Sequence, residues 1–216
     1  DPSKCHIIHN WPYEKRLDVI DYFKTFKLNK NDFHVLYAGN IGLVQNMDII
    51  IEAARHIKDQ DIKFIFVGDG HAKEDLLKKI DRLENCIYIP KLTFDQSLKI
   101  YEAFDINLIT LNKGIIYTAL PSKTSAIIKA QKPFIACVDQ ASLFAQHILD
   151  SNIGLVCEPD DFECLVQSIL KIKEGKTRFN QENYKKVYDE RFEKGKNILT
   201  YIDIIESKMK RVDPNV

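Results

Sequence analysis

Net charge is the first thing this chain lacks: 31 Lys and Arg offset 31 Asp and Glu over 216 residues. Without a basic surplus there is little counterion release to drive binding to a phosphate backbone, which argues against nucleic acid as the main partner. No stretch approaches the roughly 18 uninterrupted apolar residues of a membrane span. The five cysteines, Cys5, Cys86, Cys137, Cys157 and Cys164, are odd in number and form no C-x-x-C pair. Cys137 and Cys157 lie in apolar runs and read as small core residues. This usage argues against a zinc site and a disulfide scaffold, and fits a reducing cytoplasm. No Gly-x-x-x-x-Gly-Lys-Ser/Thr pattern occurs, which removes the P-loop NTPases. Gly39-Asn40-Ile41-Gly42 lacks the third glycine of a dinucleotide fingerprint, and no acid ends a strand some 20 residues later. No carboxylate cluster suits Mg²⁺, so neither metal nor cofactor is expected, and the histidines offer no pairing of nucleophile and base. The chain begins Asp-Pro-Ser, with no methionine and no signal-peptide pattern, and reads as a piece of a longer protein.

What is present is a rhythm. Apolar residues make up 45% of the chain, enough for a sizeable core. Short apolar runs alternate with helical patterns from residue 34 onward. The strands are His34–Ala38, Phe64–Val67, Cys86–Ile89, Ile106–Ile109, Pro133–Val138 and Gly154–Cys157. Helices are expected over Met47–Ile57, a charged stretch through Leu83, Thr93–Phe104, a segment opened by Pro121, Gln140–Leu149 and Asp161–Lys173. Near-continuous apolar strands, each followed by a helix, specify a parallel sheet covered on both faces. The fold class is therefore α/β: a Rossmann-like, doubly wound, parallel six-stranded sheet with a C-terminal helical tail. Three regions follow: an entry segment and surface helix over 1–33, a Rossmann-like α/β domain over 34–175, and tail helices over 176–216. In the tail, Tyr184, Val187, Tyr188 and Arg191 share one stripe, and Ile198, Tyr201, Ile202 and Ile205 share another.

Ligands of such sheets bind beyond the carboxyl ends of the strands. That rim carries Gly39 to Gly42, Gly68-Asp69-Gly70, Pro90-Lys91, Asn112-Lys113-Gly114 and Leu120-Pro121-Ser122-Lys123-Thr124. Pro121 suits a first helical turn, which leaves the amides of Ser122, Lys123 and Thr124 without intrahelical acceptors. A lysine in that turn opposes the helix dipole, and an anion seated there would remove the conflict. The plain alternative is a proline-started helix with a solvated lysine. Gly68-Asp69-Gly70 is equally good turn chemistry, and Asp160 or Asp161 reads as an N-cap. His71 lies on the rim as a structural or exposed residue.

The combination of Tyr37-Ala38-Gly39-Asn40-Ile41-Gly42 with Gln45, Phe66-Val67-Gly68-Asp69-Gly70, Leu120-Pro121-Ser122-Lys123 and Gly154-Leu155-Val156-x-Glu158-Pro159 resembles the C-terminal half of a GT-B glycosyltransferase. The family is the large retaining family four, or group one. Within it the chain is most similar to bacterial enzymes of capsule, O-antigen and colanic-acid synthesis. The resemblance implies a transferase that moves a sugar from a nucleoside diphosphate, UDP- or GDP-linked, to a glycan or lipid-linked acceptor. The acceptor would be held by an N-terminal domain that is not in this chain, with the tail helices crossing back to it. The resemblance also implies a cytoplasmic location, with peripheral association at the cytoplasmic face of the inner membrane. Residue by residue, the resemblance places the donor diphosphate at Gly39, Asn40, Gly42, Gln45, Ser122, Lys123 and Thr124. It places the base and ribose beside Gly68, Asp69, Ile89, Pro90 and Lys91, and the sugar near Thr118, Leu120 and Pro121. No catalytic residue is assigned. The family's usual Glu-x7-Glu pair falls at Thr118 and Ala126, neither a carboxylate, and the basic residues of its first loop fall at Asn40 and Gln45. Two other readings stay open: a GT-B nucleotide-sugar epimerase, and a non-catalytic nucleotide- or partner-binding scaffold.

Overall fold

The structure is a computed structural model of the chain, and it describes residues 5–12, 20–57, 59, 61–97, 99–118 and 120–209. In chain order the elements are α1 (Tyr22–Phe26), β1 (Phe33–Asn40), α2 (Met47–His56), β2 (Ile62–Asp69), α3 (Lys73–Ile80), β3 (Cys86–Pro90), α4 (Phe94–Ser97), α5 (Ile100–Ala103) and β4 (Ile106–Thr110). Then come a 3₁₀ turn (Ile115–Tyr117), α6 (Thr124–Ala130), β5 (Phe134–Cys137), α7 (Leu143–Asp150), β6 (Leu155–Cys157), α8 (Phe162–Lys173), α9 (Gln181–Arg191) and α10 (Lys194–Met209). The expected doubly wound sheet is present, with six parallel strands in the order β3-β2-β1-β4-β5-β6. The winding reverses between β1 and β4, and this is where a crevice opens in such folds.

Pairing is unequal along the sheet. β1 runs beside β2 from Phe33↔Ile62 to Asn40↔Asp69. Against β4 it registers only at Val35↔Ile106 and Leu36↔Asn107. Beyond Leu36 the two central strands part, and the segment Tyr37–Asn40 has no β4 partner. Side chains alternate across the sheet. Val35 and Tyr37 join the layer packed by α2, α3 and α8, while Leu36 and Ala38 join the layer packed by α1 and α5. A third cluster lies under α6, α7 and α9. α2 shows how sequence makes its layer: Ile49, Ile50, Ala53 and Ala54 recur at helical spacing and are buried, each large side chain contributing roughly 1.5–3 kcal/mol by leaving water. Asn46 precedes this helix in a left-handed conformation without capping it. Its amide donates to the Pro159 carbonyl at 2.6 Å instead, tying the start of α2 to the turn after β6.

Five expectations change. The helix expected over 93–104 breaks into α4 and α5, with Lys99 at φ −115°; the Gln96 carbonyl accepts a 2.7 Å hydrogen bond from the Tyr22 hydroxyl rather than continuing a helix. Pro121 does not open α6: its carbonyl accepts from the Thr124 amide at 3.0 Å in a tight turn, and the α-helix starts at Thr124. The entry segment is more than linker and surface helix, because Tyr22 of α1 is buried in the core; residues 13–19 lie outside the described residues. The cysteines do not all stay single: Cys157 and Cys164 are joined by a disulfide, their Cα atoms 5.7 Å apart. The turn from β6 into α8 returns the chain over the strand end and sets that spacing, while Cys137 stays buried and free.

The tail, lastly, divides. α9 is seated on this domain, capped by Asn180, with Tyr184 fully buried and its hydroxyl donating to the Lys132 carbonyl at 3.1 Å. The Asn183 amide adds a 2.7 Å bond to the Ser151 carbonyl. α10 leaves Leu199, Tyr201, Ile202, Ile205 and Met209 exposed. Residues 210–216 lie outside the described residues.

Candidate functional site

The carboxyl ends of β1 and β2 meet so closely that a side chain cannot stand between them. A Cβ on Gly68 would fall 1.9 Å from the Gly39 carbonyl oxygen, and Gly68 sits at φ +148°, a conformation L-residues rarely adopt. Beyond that point the chains stay paired through loop backbone: the Ile41 amide donates to the Asp69 carbonyl at 2.9 Å, and the Ala72 amide to the Ile41 carbonyl at 2.9 Å. Asp69 accepts from the Gly70 amide at 3.0 Å and lies 3.4 Å from Lys73. That amide, and then the lysine charge, hold its carboxyl below the usual range.

These strand ends form one wall of an open cavity of about 1130 Å³. Ala38, Gly39, Asn40, Val67, Gly68, Asp69, Gly70 and His71 line that wall, and Lys91, Leu92, Thr93, Ser97, Ile100 and Tyr101 face them. The Tyr101 hydroxyl donates to the Ala38 carbonyl at 3.2 Å, fixing the far wall to β1. The volume suits a ligand at the upper end of the size range for small-molecule sites.

Lys123 reaches the same strand end from the other side of the switch point. A Cβ on Gly39 would lie 4.0 Å from the Lys123 Nζ. That nitrogen is shielded from solvent and has no hydrogen-bond partner. It sits over the Tyr37 ring, 3.6 Å from the centroid. Burial lowers its pKa from 10.5 to about 7, the direction expected for an ammonium taken from water without a counter-charge. The neighbouring Thr124 hydroxyl is also buried and unpartnered. Buried polar groups in native proteins are nearly always satisfied, so two such exceptions adjacent in the chain need a reason.

A third group forms the outer lip. The Asn40 side-chain amide donates to Gln45 Oε1 at 3.5 Å. Gly42 lies against this pair, since a Cβ there would stand 2.5 Å from Gln45 Oε1 and 2.6 Å from Asn40 Nδ2. β4 and the loop after it hold this lip in place: the Thr110 hydroxyl donates to the Gln45 carbonyl, the Asn112 amide side chain to the Leu43 carbonyl at 2.8 Å, and the Asn112 backbone amide to the Val44 carbonyl at 2.9 Å.

Of the residues singled out in the sequence, Gly39, Asn40, Gly68, Asp69 and Lys91 share the cavity. Lys123 comes to Gly39 from the turn before α6, Thr124 follows it as the first residue of that helix, and Gly42 and Gln45 stand at the lip. Ile89 is buried in the core, while Pro90 ends β3 opposite Gly68. Thr118 is exposed, its hydroxyl donating to the Ile115 carbonyl at 2.9 Å. Leu120 and Ser122 are exposed and Pro121 half-buried, and none of these four lines the cavity. In the sequence Tyr101 carries no signal, and Tyr37 enters only as the first residue of the Tyr37-to-Gly42 motif, with no role of its own. Tyr37 read as an ordinary strand residue, and the only signal was a polar-tipped aromatic two positions before a glycine loop. Among the described residues no group of three or more His, Cys, Asp or Glu could hold a metal ion, and no helix is long and apolar enough to cross a membrane.

Comparison with known proteins agrees with this geometry. The family model for glycosyl transferases group 1 matches residues 18–188. The "Probable glycosyltransferase WbjE" of Pseudomonas aeruginosa is 28% identical over 181 residues, covering 81% of this chain and 45% of that protein. The "Putative colanic acid biosynthesis glycosyl transferase WcaI" of Escherichia coli strain K12 is 30% identical over 156 residues, covering 70% of this chain and 38% of that protein. The chain thus spans less than half the length of these curated relatives. Among solved structures, HepE of Anabaena in complex with UDP superposes with a TM-score of 0.65 at 19% identity, over 82% of this chain and 49% of that one. WaaG, a glycosyltransferase involved in lipopolysaccharide biosynthesis, gives 0.62 at 20% identity, over 88% of this chain and 53% of that one. At these identities the superpositions speak for the fold, and the match over 18–188 for descent: this chain belongs to the glycosyl transferases group 1 family.

Proposed function

We propose that the chain is the donor-binding half of a retaining glycosyltransferase. Its donor is a nucleoside-diphosphate sugar, UDP- or GDP-linked, and its acceptor is a surface-polysaccharide glycan or lipid-linked glycan held by a second domain. The observation that carries the reading is the unpaired Lys123 nitrogen, buried beside Gly39 next to the unpartnered Thr124 hydroxyl. A diphosphate lying along Gly39 supplies both missing partners. The cavity between Asp69 and Tyr101 is then left for base and ribose, with Lys91 at its edge, and Thr118, Leu120 and Pro121 face the sugar. As the bond between the anomeric carbon and the diphosphate oxygen lengthens, negative charge grows on the leaving group. In this reading Lys123, beside Gly39, opposes that charge, a preorganised electrostatic role. Solved relatives of this fold in complex with UDP and with UDP-glucose support the ligand class. The relatives named for colanic acid and lipopolysaccharide biosynthesis support the acceptor class; the site of action in this reading is the cytoplasmic face of the membrane.

A second reading rests on Ala126 and Thr118, which stand where the family usually has carboxylates: a nucleotide-binding member without turnover. Calorimetry of this chain with UDP, GDP and ADP tests the shared part, and binding to at least one is expected. No binding to any of the three would sink both. Turnover of a donor panel by the full-length protein then separates them.

A further inference from the structure

Tyr37 is not needed as a ligand for any base, sugar or phosphate, yet it touches both parts of the phosphate end of the site. It is 1% exposed and lies on β1, in the segment that has parted from β4. Its ring face carries the Lys123 nitrogen at 3.6 Å. Its hydroxyl donates at 2.6 Å to the carbonyl of Asn40, the first residue of the lip. One rigid side chain therefore fixes the cation and the loop relative to each other. Among the described residues no carboxylate pairs with the nitrogen and no hydrogen bond reaches it. The titratable groups facing it are Tyr37 itself from β1 and, through the Tyr37 phenol, Tyr101 from α5. A cation held on an aromatic face keeps a favourable but replaceable partner. Phosphate oxygens, being charged, are a stronger one.

We propose that Tyr37 is a positioning residue for the donor phosphates: its ring holds Lys123 beside Gly39 in the empty site, and its hydroxyl fixes the Asn40 carbonyl, so that lysine and loop meet the diphosphate as one unit. This rests on the donor-binding reading above. When the diphosphate arrives, the lysine exchanges the ring for phosphate oxygens. Because burial has brought its pKa to about 7, at pH 8 it takes up a proton from solvent as it does so.

The test compares wild type, Tyr37→Phe, Tyr37→Leu and Lys123→Met, with the Tyr37→Leu/Lys123→Met double variant closing a cycle. UDP and GDP binding is measured by calorimetry at pH 8 in two buffers of different ionisation enthalpy, and the lysine Cε resonances are titrated by NMR in the empty protein. Tyr37→Phe keeps the ring, so it retains wild-type proton uptake and loses about five-fold in affinity, as for one hydrogen bond. Tyr37→Leu loses about ten-fold or more and moves the Lys123 titration midpoint downward, since only the protonated form gains from the ring. On the Lys123→Met background, Tyr37→Leu adds no more than Tyr37→Phe does. An unchanged Lys123 midpoint in Tyr37→Leu, or fully additive losses in the cycle, overturns the positioning role while leaving donor binding intact. Should Tyr37→Leu fail to fold, Tyr37→Phe still decides: loss of proton uptake there overturns the ring's part. Wild type that binds neither UDP nor GDP overturns the donor-binding reading itself.

Discussion

Replacing Lys123 by methionine should make the empty protein more stable and a poorer ligand binder. The side chain keeps its length and loses its charge. A lysine whose pKa falls from 10.5 to about 7 on folding carries a penalty of roughly 5 kcal/mol at pH 7, at 1.36 kcal/mol per tenfold. Methionine also gives up some packing on the Tyr37 face, so roughly 3 kcal/mol or more of that penalty should be recovered. In a chain of this size that corresponds to a rise in melting temperature of about 6–12 °C. The sign with pH is fixed by linkage. The unfolded lysine holds its proton up to about pH 10.5, while the folded one releases it near 7. The wild type therefore gains stability as pH rises from 7 towards 10, at close to 1.4 kcal/mol per pH unit from this group. Lys123→Met lacks that gain, so the gap between the two proteins is widest near pH 7 and narrows by pH 9. Urea unfolding at both pH values measures it, and UDP calorimetry on the same samples should show a loss of ten- to a hundred-fold, as for one charge-assisted contact. A variant less stable than wild type at pH 7, a gap that does not narrow, or unchanged UDP affinity would refute the reasoning.

Three further outcomes bear on the frame around that lysine. Gly42→Ala places a methyl 2.5 Å from Gln45 Oε1 and 2.6 Å from Asn40 Nδ2; both are side-chain ends, so melting should shift by less than about 2 °C while nucleotide affinity drops several-fold. Gly68→Ala meets backbone 1.9 Å away at φ +148° and should cost about 3 kcal/mol or more, read by urea unfolding. Tyr184→Ala empties a fully buried seat and should cost about 3–5 kcal/mol, whereas α9 would tolerate the change with little loss if it were a free tail.

The six strands and most helix ends were legible because each has a local cause. Apolar runs bounded by glycine or proline mark the strands, and Asp161 caps α8 by accepting from the Cys164 amide at 2.8 Å, as an acid before a helix should. The rim loops were legible for the same reason. What escaped depends on partners far along the chain. The break between α4 and α5 answers to Tyr22, 74 positions from Gln96. Asn46 leaves its helix uncapped to reach Pro159. The Pro121 turn places Lys123 over Tyr37, and no periodicity records which ring a lysine will find. The disulfide was missed because it joins residues of a strand and a helix brought together by a turn, a geometry that cysteine spacing alone does not show.

The short seam between β1 and β4 has a mechanical consequence. With only Val35 and Leu36 in register, the sheet is two three-stranded leaves, β3-β2-β1 and β4-β5-β6, joined by that short seam, by the Asn46 clasp, by α2 lying on α8, and by the bonds from Thr110 and Asn112 to the loop after β1. Each leaf is a natural cooperative opening unit. A ligand bridging Gly39 on one leaf to Lys123 beside the other adds a further stitch where the strands themselves have parted. Amide exchange should therefore slow on donor binding in Ile106–Thr110 as well as in Tyr37–Asn40, although neither nucleotide nor sugar need touch the former.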